Sequence, residues 1–392
     1  MFDIKRECSL LFDEAVALRR DFHRHPELGF REVRTSGIVA EKLRECGLEV
    51  TMGVNKTGVV GLLRGPQPGK TVLLRADMDA LPVSEENDCD YRSEVDGVMH
   101  ACGHDAHTAM LLMAAKILSK HRDGISGNIK FVFQPSEEYA TGGAQGMISE
   151  GVMENPHVDA VFGQHVWSSV PFGKIGVRPG PLMASPDAFT ITIRGKGGHG
   201  SAPHLGTDAL VIGAHVVLAL QTLVSREIDP LNPAVVSIGT FTSGTVMNAI
   251  PSQASMTGTI RLVDPVLRKE MPNKIERIVK GVCEAFRGEY SFEYIHEYPP
   301  TINDPQMTEL AKQAAEEVVG EGNVIDPGIT MSAEDFSYFL QEAPGSFLFL
   351  GIANPDKGID KNNHHPQFDI DEDALPLGIE LLVRIALKYL NS

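Results

Sequence analysis

Hydrophobic and polar positions along the first third of the chain follow two periods, which predict alternating helices and strands. The N-terminal stretch predicts an amphipathic helix, because four apolar residues share one face: Leu10, Leu11, Ala15 and Leu18. A second helix is predicted over residues 32–47, and a third begins near Asp105. Four segments between them read as strands: residues 48–53, 58–64, 71–76 and 127–133. This alternation predicts an α/β sheet, with reactive groups beyond the carboxyl ends of its strands.

The pattern changes near residue 184, which predicts a second domain inserted into the first. Beyond this point four segments have the pattern of strands: residues 188–194, 234–240, 254–261 and 290–296. Helices are predicted over residues 208–226 and 265–287, and the first pattern resumes after Pro299. We therefore predict a main α/β domain, with a mixed sheet flanked by helices, from residues 1–184 and 299–392. A smaller α+β domain is predicted for residues 185–298.

Composition narrows the possible partners. A chain of 392 residues is long for one core, which agrees with two domains. The net charge of -17 argues against a nucleic-acid or anionic-membrane partner. No segment reaches the roughly 20 apolar residues of a membrane helix, and the N-terminus lacks a signal-peptide pattern. The five cysteines are scattered and indicate no disulfide framework. We expect a cytoplasmic protein.

Side chains that can hold a metal concentrate in four short segments: residues 99–107 (MHACGHDAH), 134–138 (QPSEE), 162–165 (FGQH) and 363–368 (NHHPQF). Thiol, imidazole and carboxylate donors together suit zinc or another divalent transition metal, rather than magnesium or calcium. Taken singly, His165 could be a core histidine, Cys102 a small buried apolar residue, and Glu137–Glu138 a solvated face. Their joint occurrence favours a metal site, because paired carboxylates after an apolar strand are costly without a cation.

Eight motifs carry a resemblance to a known family: residues 23–30 (HRHPELGF), 74–82 (LRADMDALP), 102–107 (CGHDAH), 133–138 (FQPSEE), 195–203 (GKGGHGSAP), 248–251 (NAIP), 334–336 (EDF) and 364–368 (HHPQF). The chain resembles the metallopeptidase and amidohydrolase family of aminoacylases, hippurate hydrolases, auxin-conjugate hydrolases and carboxypeptidases of the G type, in the branch with a cysteine ligand. The resemblance implies a catalytic α/β domain interrupted by a smaller lid domain that often mediates dimerisation. A homo-oligomer, either dimer or tetramer, is expected.

The resemblance also implies two divalent ions per chain, with zinc expected first and manganese, cobalt or nickel as alternatives. The implied ligands are Cys102, His104, Glu138, His165 and His364. Cys102 is expected to bridge the two ions. His364 is preferred to His365, because the family pattern has a variable residue before the proline.

The roles of two further residues, His107 and Asp77, stay open from the sequence. His107 lies one helical turn beyond His104 and could be a structural group or one that orients a ligand. Asp77 stands where the wider family usually has a histidine, so ligand sets from other branches cannot be copied. Asp79 matches the family aspartate that orients a metal ligand, and Asp77 could share that role.

The resemblance makes Glu137 the general base, which takes a proton from a metal-activated water and later protonates the leaving amine. His199 matches a lid-domain histidine that stabilises the oxyanion, although its glycine neighbours also fit an ordinary tight turn. Asn248 and Arg261 match residues that bind the substrate's carboxylate; the alternatives are a turn residue and an exposed strand arginine. The expected reaction is hydrolysis of the amide bond of an N-acyl amino acid or a short peptide with a free C-terminus.

Two other functions remain open from the sequence. The chain could be a catalytically silent metal- or ligand-binding protein on the same scaffold, although Glu137 beside Glu138 argues for chemistry. It could also be a cysteine hydrolase with Cys102 as nucleophile and a nearby histidine as base.

Overall fold

The computed structural model describes residues 2–139 and 142–392, which divide into two compact units. The larger unit contains the described residues up to Gly180, together with Ile302–Gly328 and Asp335–Ser392. The smaller unit contains Pro181–Thr301 and Ile329–Glu334. All of residues 185–298, predicted as the insertion, lie in the smaller unit. The second excursion of the chain, Ile329–Glu334, was not expected from the sequence; its Thr330 amide donates to Leu182 O at 3.0 Å.

The larger unit contains a mixed eight-stranded sheet. Numbered in chain order, its strands are β1 (Glu49–Val54), β2 (Gly58–Arg64), β3 (Gln67–Asp77), β4 (Ser126–Gln134), β5 (Ala160–Pro171), β6 (Ile175–Gly176), β15 (Val324–Ile325) and β16 (Gly345–Ala353). The spatial order is β1-β2-β4-β3-β5-β16-β6-β15. Helices accompany the sheet: α1 (Ile4–Leu10), α2 (Phe12–Arg24), α3 (Val33–Glu45), α4 (His104–Lys120), α5 (Ala144–Ser149), α8 (Pro305–Val319), α9 (Phe339–Glu342) and α10 (Leu375–Leu390). The predicted fold class is confirmed.

The central strands of this sheet run parallel, and this sets the place of the polar residues that follow them. β3 pairs in parallel with both β4 and β5, and β16 pairs in parallel with β5. Asp77, the last residue of β3, lies opposite Gln134, the last residue of β4. Because parallel strands share their carboxyl edge, the segments after β3 and β4 emerge side by side.

The N-terminal segment differs from its prediction. It forms two helices, α1 and α2, that meet at Leu11. Ala15 is buried as predicted, but Leu10 is 68% exposed. The reason is the break itself: Leu11 has backbone angles of φ -98° and ψ 4°, so a single helical face does not continue through residues 10–18.

A buried ion network joins α2 to the start of α4. Arg19 donates to Asp105 at 2.9 Å and to Asp369 at 2.7 Å, and both Arg19 and Asp105 are fully buried. His23 adds a 2.8 Å hydrogen bond to the same carboxylate. The stability of each buried ion depends on its partners, because an ion that loses them still carries the free-energy cost of its removal from water. The network therefore fixes α4 against α2.

The smaller unit has an antiparallel four-stranded sheet and its own core. Its elements are β7 (Gly180–Met183), β8 (Ala188–Arg194), β9 (Gly198–His199), β10 (Ala234–Ser243), β11 (Ala249–Ile250), β12 (Gln253–Leu262), β13 (Glu289–Ile295), β14 (Thr301–Asn303), α6 (Ala209–Thr222) and α7 (Pro265–Ala285), with β7 and β14 at the unit boundaries. The sheet order is β10-β12-β8-β13. Ile212, Val216 and Leu220 of α6 lie in this core with Met271 of α7.

One helical segment, Ala209–Glu227, is long and apolar enough by composition to cross a membrane. It comprises α6 and the π-helical turn that follows, and 33% of its most apolar window is buried. Its buried residues belong to the core of the smaller unit, which accounts for part of its apolar character. Such a helix is weak evidence for a membrane span.

Replacement of the buried arginine tests the network that holds α2 on α4. Arg19→Met should lower the free energy of unfolding of the larger unit by about 3–5 kcal/mol, because buried carboxylates lose their cation. Denaturant unfolding followed by fluorescence of Trp167, the only tryptophan, would measure this. As a control, Arg64→Met breaks an exposed ion pair with Glu49 and should cost less than about 1 kcal/mol. Equal effects from the two substitutions would contradict the assignment.

Candidate metal and catalytic site

Four elements of the larger unit bring polar residues together near the carboxyl edge of the sheet. Asp77 ends β3, and Asp79 follows two residues later. Glu137 and Glu138 follow β4, and His165 lies within β5. Cys102 and His104 come from the turn that opens α4, where Gly103 adopts a left-handed conformation with φ 88°. A side chain at residue 103 would meet Val166 Cγ2 at 2.3 Å, so this turn requires glycine.

The structure brings together all five residues predicted as metal ligands. Cys102 Sγ lies 3.3 Å from His165 Nε2, and His364 Nε2 lies 3.2 Å from Glu138 Oε1. His104 Nε2 is 4.0 Å from the same glutamate oxygen. Potential ligand atoms within 4.8 Å of one another form two sets that share the cysteine: Cys102, His104 and His165; and Cys102, Glu138 and His364.

Several of these donor atoms fit a metal better than they fit the protein around them. Both ring nitrogens of His104 and Oε1 of Glu138 are buried without a hydrogen-bond partner among the described residues. His165 donates from Nδ1 to Val166 O at 2.7 Å, which leaves Nε2 as an acceptor facing Cys102. Sulfur, nitrogen and oxygen donors in this arrangement suit zinc and neighbouring transition metals.

His364 is held in a strained backbone conformation that turns its ring towards the cluster. Its φ of 71° is unfavourable for a residue with a β-carbon, and its amide donates to Ala101 O at 2.7 Å. The neighbouring His365 makes a different contact: its Nδ1 accepts a hydrogen bond from the Gln367 amide at 3.0 Å. These contacts explain why His364, and not His365, lies against Glu138.

The roles that the sequence left open for His107 and Asp77 follow from their hydrogen bonds. His107 Nε2 accepts from the Val166 amide at 2.9 Å, and Nδ1 donates to Asp77 Oδ1 at 2.5 Å. Both ring nitrogens are therefore occupied by the protein, which argues against metal ligation by His107. Asp77 also accepts from Arg75 at 2.6 Å. Burial opposes its ionisation, but Arg75 and the histidines outweigh burial and hold the pKa of Asp77 well below its usual value.

Asp79 connects the cluster of predicted metal ligands to Glu137, the predicted general base. Its two carboxylate oxygens accept from the amides of Glu137 at 2.9 Å and Glu138 at 3.0 Å. One of them also lies 3.4 Å from His104 Nδ1. A single carboxylate thus fixes the backbone of both glutamates and faces one ring nitrogen of His104.

The electrostatic environment of the cluster is strongly negative. Burial disfavours protonated His104, yet Asp77, Asp79 and Glu138 outweigh it and raise the pKa of His104 to about 10. Burial, followed by Glu138 and Glu137, raises the pKa of the Cys102 thiol well above its usual value. Groups with these properties need a cation for the thiolate and carboxylates to coexist.

The three remaining predicted residues lie in the smaller unit. His199 pairs with Ala249 across the short β9–β11 ladder, and the Gly200 amide donates to Asn248 O at 2.8 Å. These contacts bring His199 and Asn248 to adjoining strands. Arg261 lies on β12, and its Nη1 is buried without a hydrogen-bond partner among the described residues.

Sequence reasoning missed a second buried network behind the site. Asp335 accepts from Arg75 at 2.9 Å, from Gln134 at 2.8 Å and from the amides of Gly143 and Ala144. One signal was available: Arg75 is a charged residue inside the apolar run of β3. A buried arginine requires an anionic partner, but the sequence does not say which one.

Comparisons with known proteins agree with this geometry. The model of Peptidase family M20/M25/M40 matches residues 73–388. Thermostable carboxypeptidase 1 of Saccharolobus solfataricus is 45% identical over 392 residues, which cover 99% of this chain and 98% of that protein. The N-acyl-L-amino acid amidohydrolase of Geobacillus stearothermophilus is 49% identical over 301 residues, or 77% and 81% of the two chains.

A solved structure is similar throughout. The Bacillus subtilis YXEP protein, described as a dinuclear metal-binding peptidase, has a TM-score of 0.85 and 33% identity, with 98% of this chain and 99% of that chain covered. The match in sequence and fold leads to one conclusion. The chain is a hydrolase that belongs to Peptidase family M20/M25/M40.

Proposed function

We propose that this hydrolase cleaves the amide bond of N-acyl amino acids, or of short peptides with a free C-terminal carboxylate, with the help of two divalent ions. The observation that carries the proposal is the convergence of five donor residues beside Glu137, where both ring nitrogens of His104 and Oε1 of Glu138 have no hydrogen-bond partner among the described residues. Two relatives support the substrate class, since one is named a carboxypeptidase and the other an N-acyl-L-amino acid amidohydrolase.

The proposed ligands are Cys102, His104, Glu138, His165 and His364. Membership of Cys102 in both sets of donors supports a bridging position between two ions. Zinc is the first candidate metal, with manganese, cobalt or nickel as alternatives, because the donor set accommodates all of them. When bound, such ions would polarise the amide carbonyl and lower the pKa of water.

Glu137 is the proposed general base. Its side chain is almost buried, and a carboxylate oxygen lies within 4.8 Å of ligand atoms of His104 and Glu138. Glu137 would accept a proton from the attacking water and then deliver it to the nitrogen of the leaving amine. Asp79 supports this role, because it holds the Glu137 amide and thereby fixes the backbone that carries the carboxylate.

The smaller unit is proposed to recognise the substrate. Nη1 of Arg261, which has no hydrogen-bond partner among the described residues, is a donor that a substrate carboxylate would satisfy. Burial lowers the pKa of Arg261 against the opposing effect of Glu297 and Asp187. Asn248 is proposed to bind the same carboxylate.

His199 is proposed to stabilise the oxyanion. Its Nδ1 accepts from the Ser201 amide at 3.1 Å, so Nε2 carries the proton in the neutral ring and can donate. The ring is exposed, so this donor is accessible to a ligand.

The two other functions are less well supported. A cysteine hydrolase needs a thiolate without a metal beside it, but burial and the carboxylates raise the pKa of the Cys102 thiol well above its usual value, and burial holds the pKa of His165 well below its usual value. His165 is thus a poor base for the thiol at 3.3 Å. A silent binding protein would have no need for Glu137 with an amide held by Asp79.

A homo-oligomer, dimer or tetramer, is proposed with the smaller unit as its interface. β10 is an edge strand of the four-stranded sheet, so another chain could extend it. Apolar residues of α6 are exposed: Leu210 by 42%, Val211 by 41% and Leu218 by 68%. A second copy would cover both features. A cytoplasmic location is also proposed, since all five cysteines are free.

Exchange of each glutamate for glutamine separates the base from the ligand. Glu137→Gln should keep two ions per chain and lose about 10²–10⁴ in kcat, the usual contribution of a proton shuttle. Glu138→Gln should lower the metal content, and added metal should restore part of the activity. Elemental analysis and steady-state kinetics measure both, with exposed Glu86→Gln as the control. Reversed phenotypes would exchange the two assignments, and a maximum of one ion would contradict the bridged site.

A pair of substrates tests the carboxylate-binding role of Arg261. The wild-type kcat/KM should favour an N-acyl amino acid over its C-terminal amide by about 1.5–3 kcal/mol, the range for hydrogen bonds to charged groups. Arg261→Met should abolish most of this preference, because the guanidinium that reads the charge is gone. Arg194→Met, an exposed arginine on β8, is the matched control. An unchanged preference in Arg261→Met would show that another group binds the carboxylate.

A charge on the exposed face of α6 tests the interface. Leu218→Glu should convert the oligomer to a single chain, because a carboxylate would be buried in an apolar contact. Light scattering after size-exclusion chromatography reports the mass. Val266→Glu changes an equally exposed residue of the same unit and should leave the mass unchanged. A wild-type protein that is already monomeric would refute the oligomer.

A further inference from the structure

The glutamate loop, defined as residues 135–139, is held by carboxylates on both sides of its turn. Asp79 accepts from the amides of Glu137 and Glu138. On the other side, Glu32 Oε1 accepts from the Ser136 amide at 2.9 Å. Glu32 stands just before α3, near the 23–30 motif, and the reaction described above assigns it no task.

Ser136 needs such a support, because its backbone is strained. Its φ of 54° is in the left-handed region, which costs a residue with a β-carbon about 1–2 kcal/mol. The Ser136 hydroxyl is buried without a hydrogen-bond partner among the described residues, so it does not hold the turn. The hydrogen bond from the Ser136 amide to Glu32 is the contact that compensates this strain. Since Ser136 directly precedes Glu137, its conformation sets the direction in which the two glutamates leave the strand.

Glu32 is itself firmly placed. The residue is fully buried, and its second oxygen accepts from Thr57 Oγ1 at 2.6 Å. Its backbone carbonyl accepts from the Ser36 amide at 2.9 Å in the first turn of α3. Both carboxylate oxygens thus have one partner each, and only one partner belongs to the glutamate loop.

The turn before Glu32 packs directly against the same loop. A β-carbon on Gly29 would lie 2.6 Å from Tyr139 Cδ2 and 2.7 Å from Ser136 Oγ. The two segments are therefore in closest contact at this glycine, with no room for a side chain. This contact and the Glu32 bond clamp the loop onto the N-terminal motif.

We propose that Glu32 is a positioning residue of the hydrolytic reaction, which holds the Ser136 peptide and thereby aims Glu137 at the attacking water. The proposal rests on the roles proposed above for Glu137 and Glu138. It assigns Glu32, the residue that precedes α3, a function in alignment of the base, in addition to its packing.

The chemistry of this contact requires an oxygen at a fixed distance, and not a charge. Burial raises the pKa of Glu32 to about 7, against the opposing effect of the Thr57 bond. A protonated carboxyl group still offers a carbonyl oxygen to the Ser136 amide. The side-chain amide of glutamine offers the same oxygen, and its NH₂ group can donate to Thr57 Oγ1.

Three substitutions of Glu32 distinguish the effect of side-chain length from the effect of charge. Glu32→Asp keeps the charge but is one methylene too short, and its kcat should fall about 10–100-fold, the range for loss of a group that supports an active site. KM and the metal content at saturating metal should stay unchanged, because Asp79 still holds the glutamate amides. Glu32→Gln should retain kcat close to that of wild type. Glu32→Met keeps the length without an oxygen and should match Glu32→Asp.

Glu27→Ala is the matched control. Glu27 also accepts backbone amides, those of Arg34 at 3.0 Å and Thr35 at 2.8 Å, but it does not hold the glutamate loop. It should lower the melting temperature and leave kcat unchanged. Three outcomes would each overturn the proposal. They are an equal loss of kcat in Glu27→Ala, a loss of bound metal without a loss of kcat in the Glu32 variants, and full activity in Glu32→Asp and Glu32→Met. Failure of both Glu32→Asp and Glu32→Met to fold would overturn it too, since the residue would then act in folding.

Parallel measurement of Glu137→Gln distinguishes this proposal from the proposed function. If Glu137→Gln is inert and Glu32→Asp is fully active, only the positioning role fails. If Glu137→Gln is fully active, the general base itself is wrong, and Glu32 can have no role through it.

Discussion

Compensation of buried negative charge at one edge of the sheet is the constraint on which the larger unit depends. The carboxyl ends of β3 and β4 lie side by side, and the segments after them carry Asp77, Asp79, Glu137 and Glu138. Each carboxylate removed from water needs a cation or several donors. The protein supplies these for some of the carboxylates, whereas Oε1 of Glu138 has no hydrogen-bond partner among the described residues.

The carboxylates at this edge differ in the groups that compensate their charge. Arg75 lies between Asp77 and Asp335 and satisfies both, while backbone amides satisfy Asp79. Glu138 Oε1 instead faces two histidines, His364 at 3.2 Å and His104 at 4.0 Å. A metal ion would supply the positive charge that Glu138 needs. Asp77, Asp335 and Asp79, whose charges the protein itself compensates, would give this ion a rigid support. The networks that look purely structural therefore determine where the ligands stand.

Division of the chain into two units separates chemistry from recognition. The larger unit holds the proposed ligands and the base, and the smaller unit holds the residues proposed to bind the substrate. Arg261, whose buried Nη1 has no hydrogen-bond partner among the described residues, belongs to a unit with its own sheet and its own core. The proposed substrate contacts and the proposed metal ligands therefore lie in different units, each with its own hydrophobic core.

The sequence by itself determined the fold class, the inserted unit and the donor residues that lie together, because these depend on periodicity and on motifs. Tertiary structure alone decided what those motifs contact. Whether His107 faces a metal depended on the Val166 amide, 59 residues away, and the partner of Arg75 is 260 residues away. The contact between Glu32 and Ser136 likewise spans 104 residues. Strand register and helix packing set such pairs, and neither is written in the local pattern of the chain.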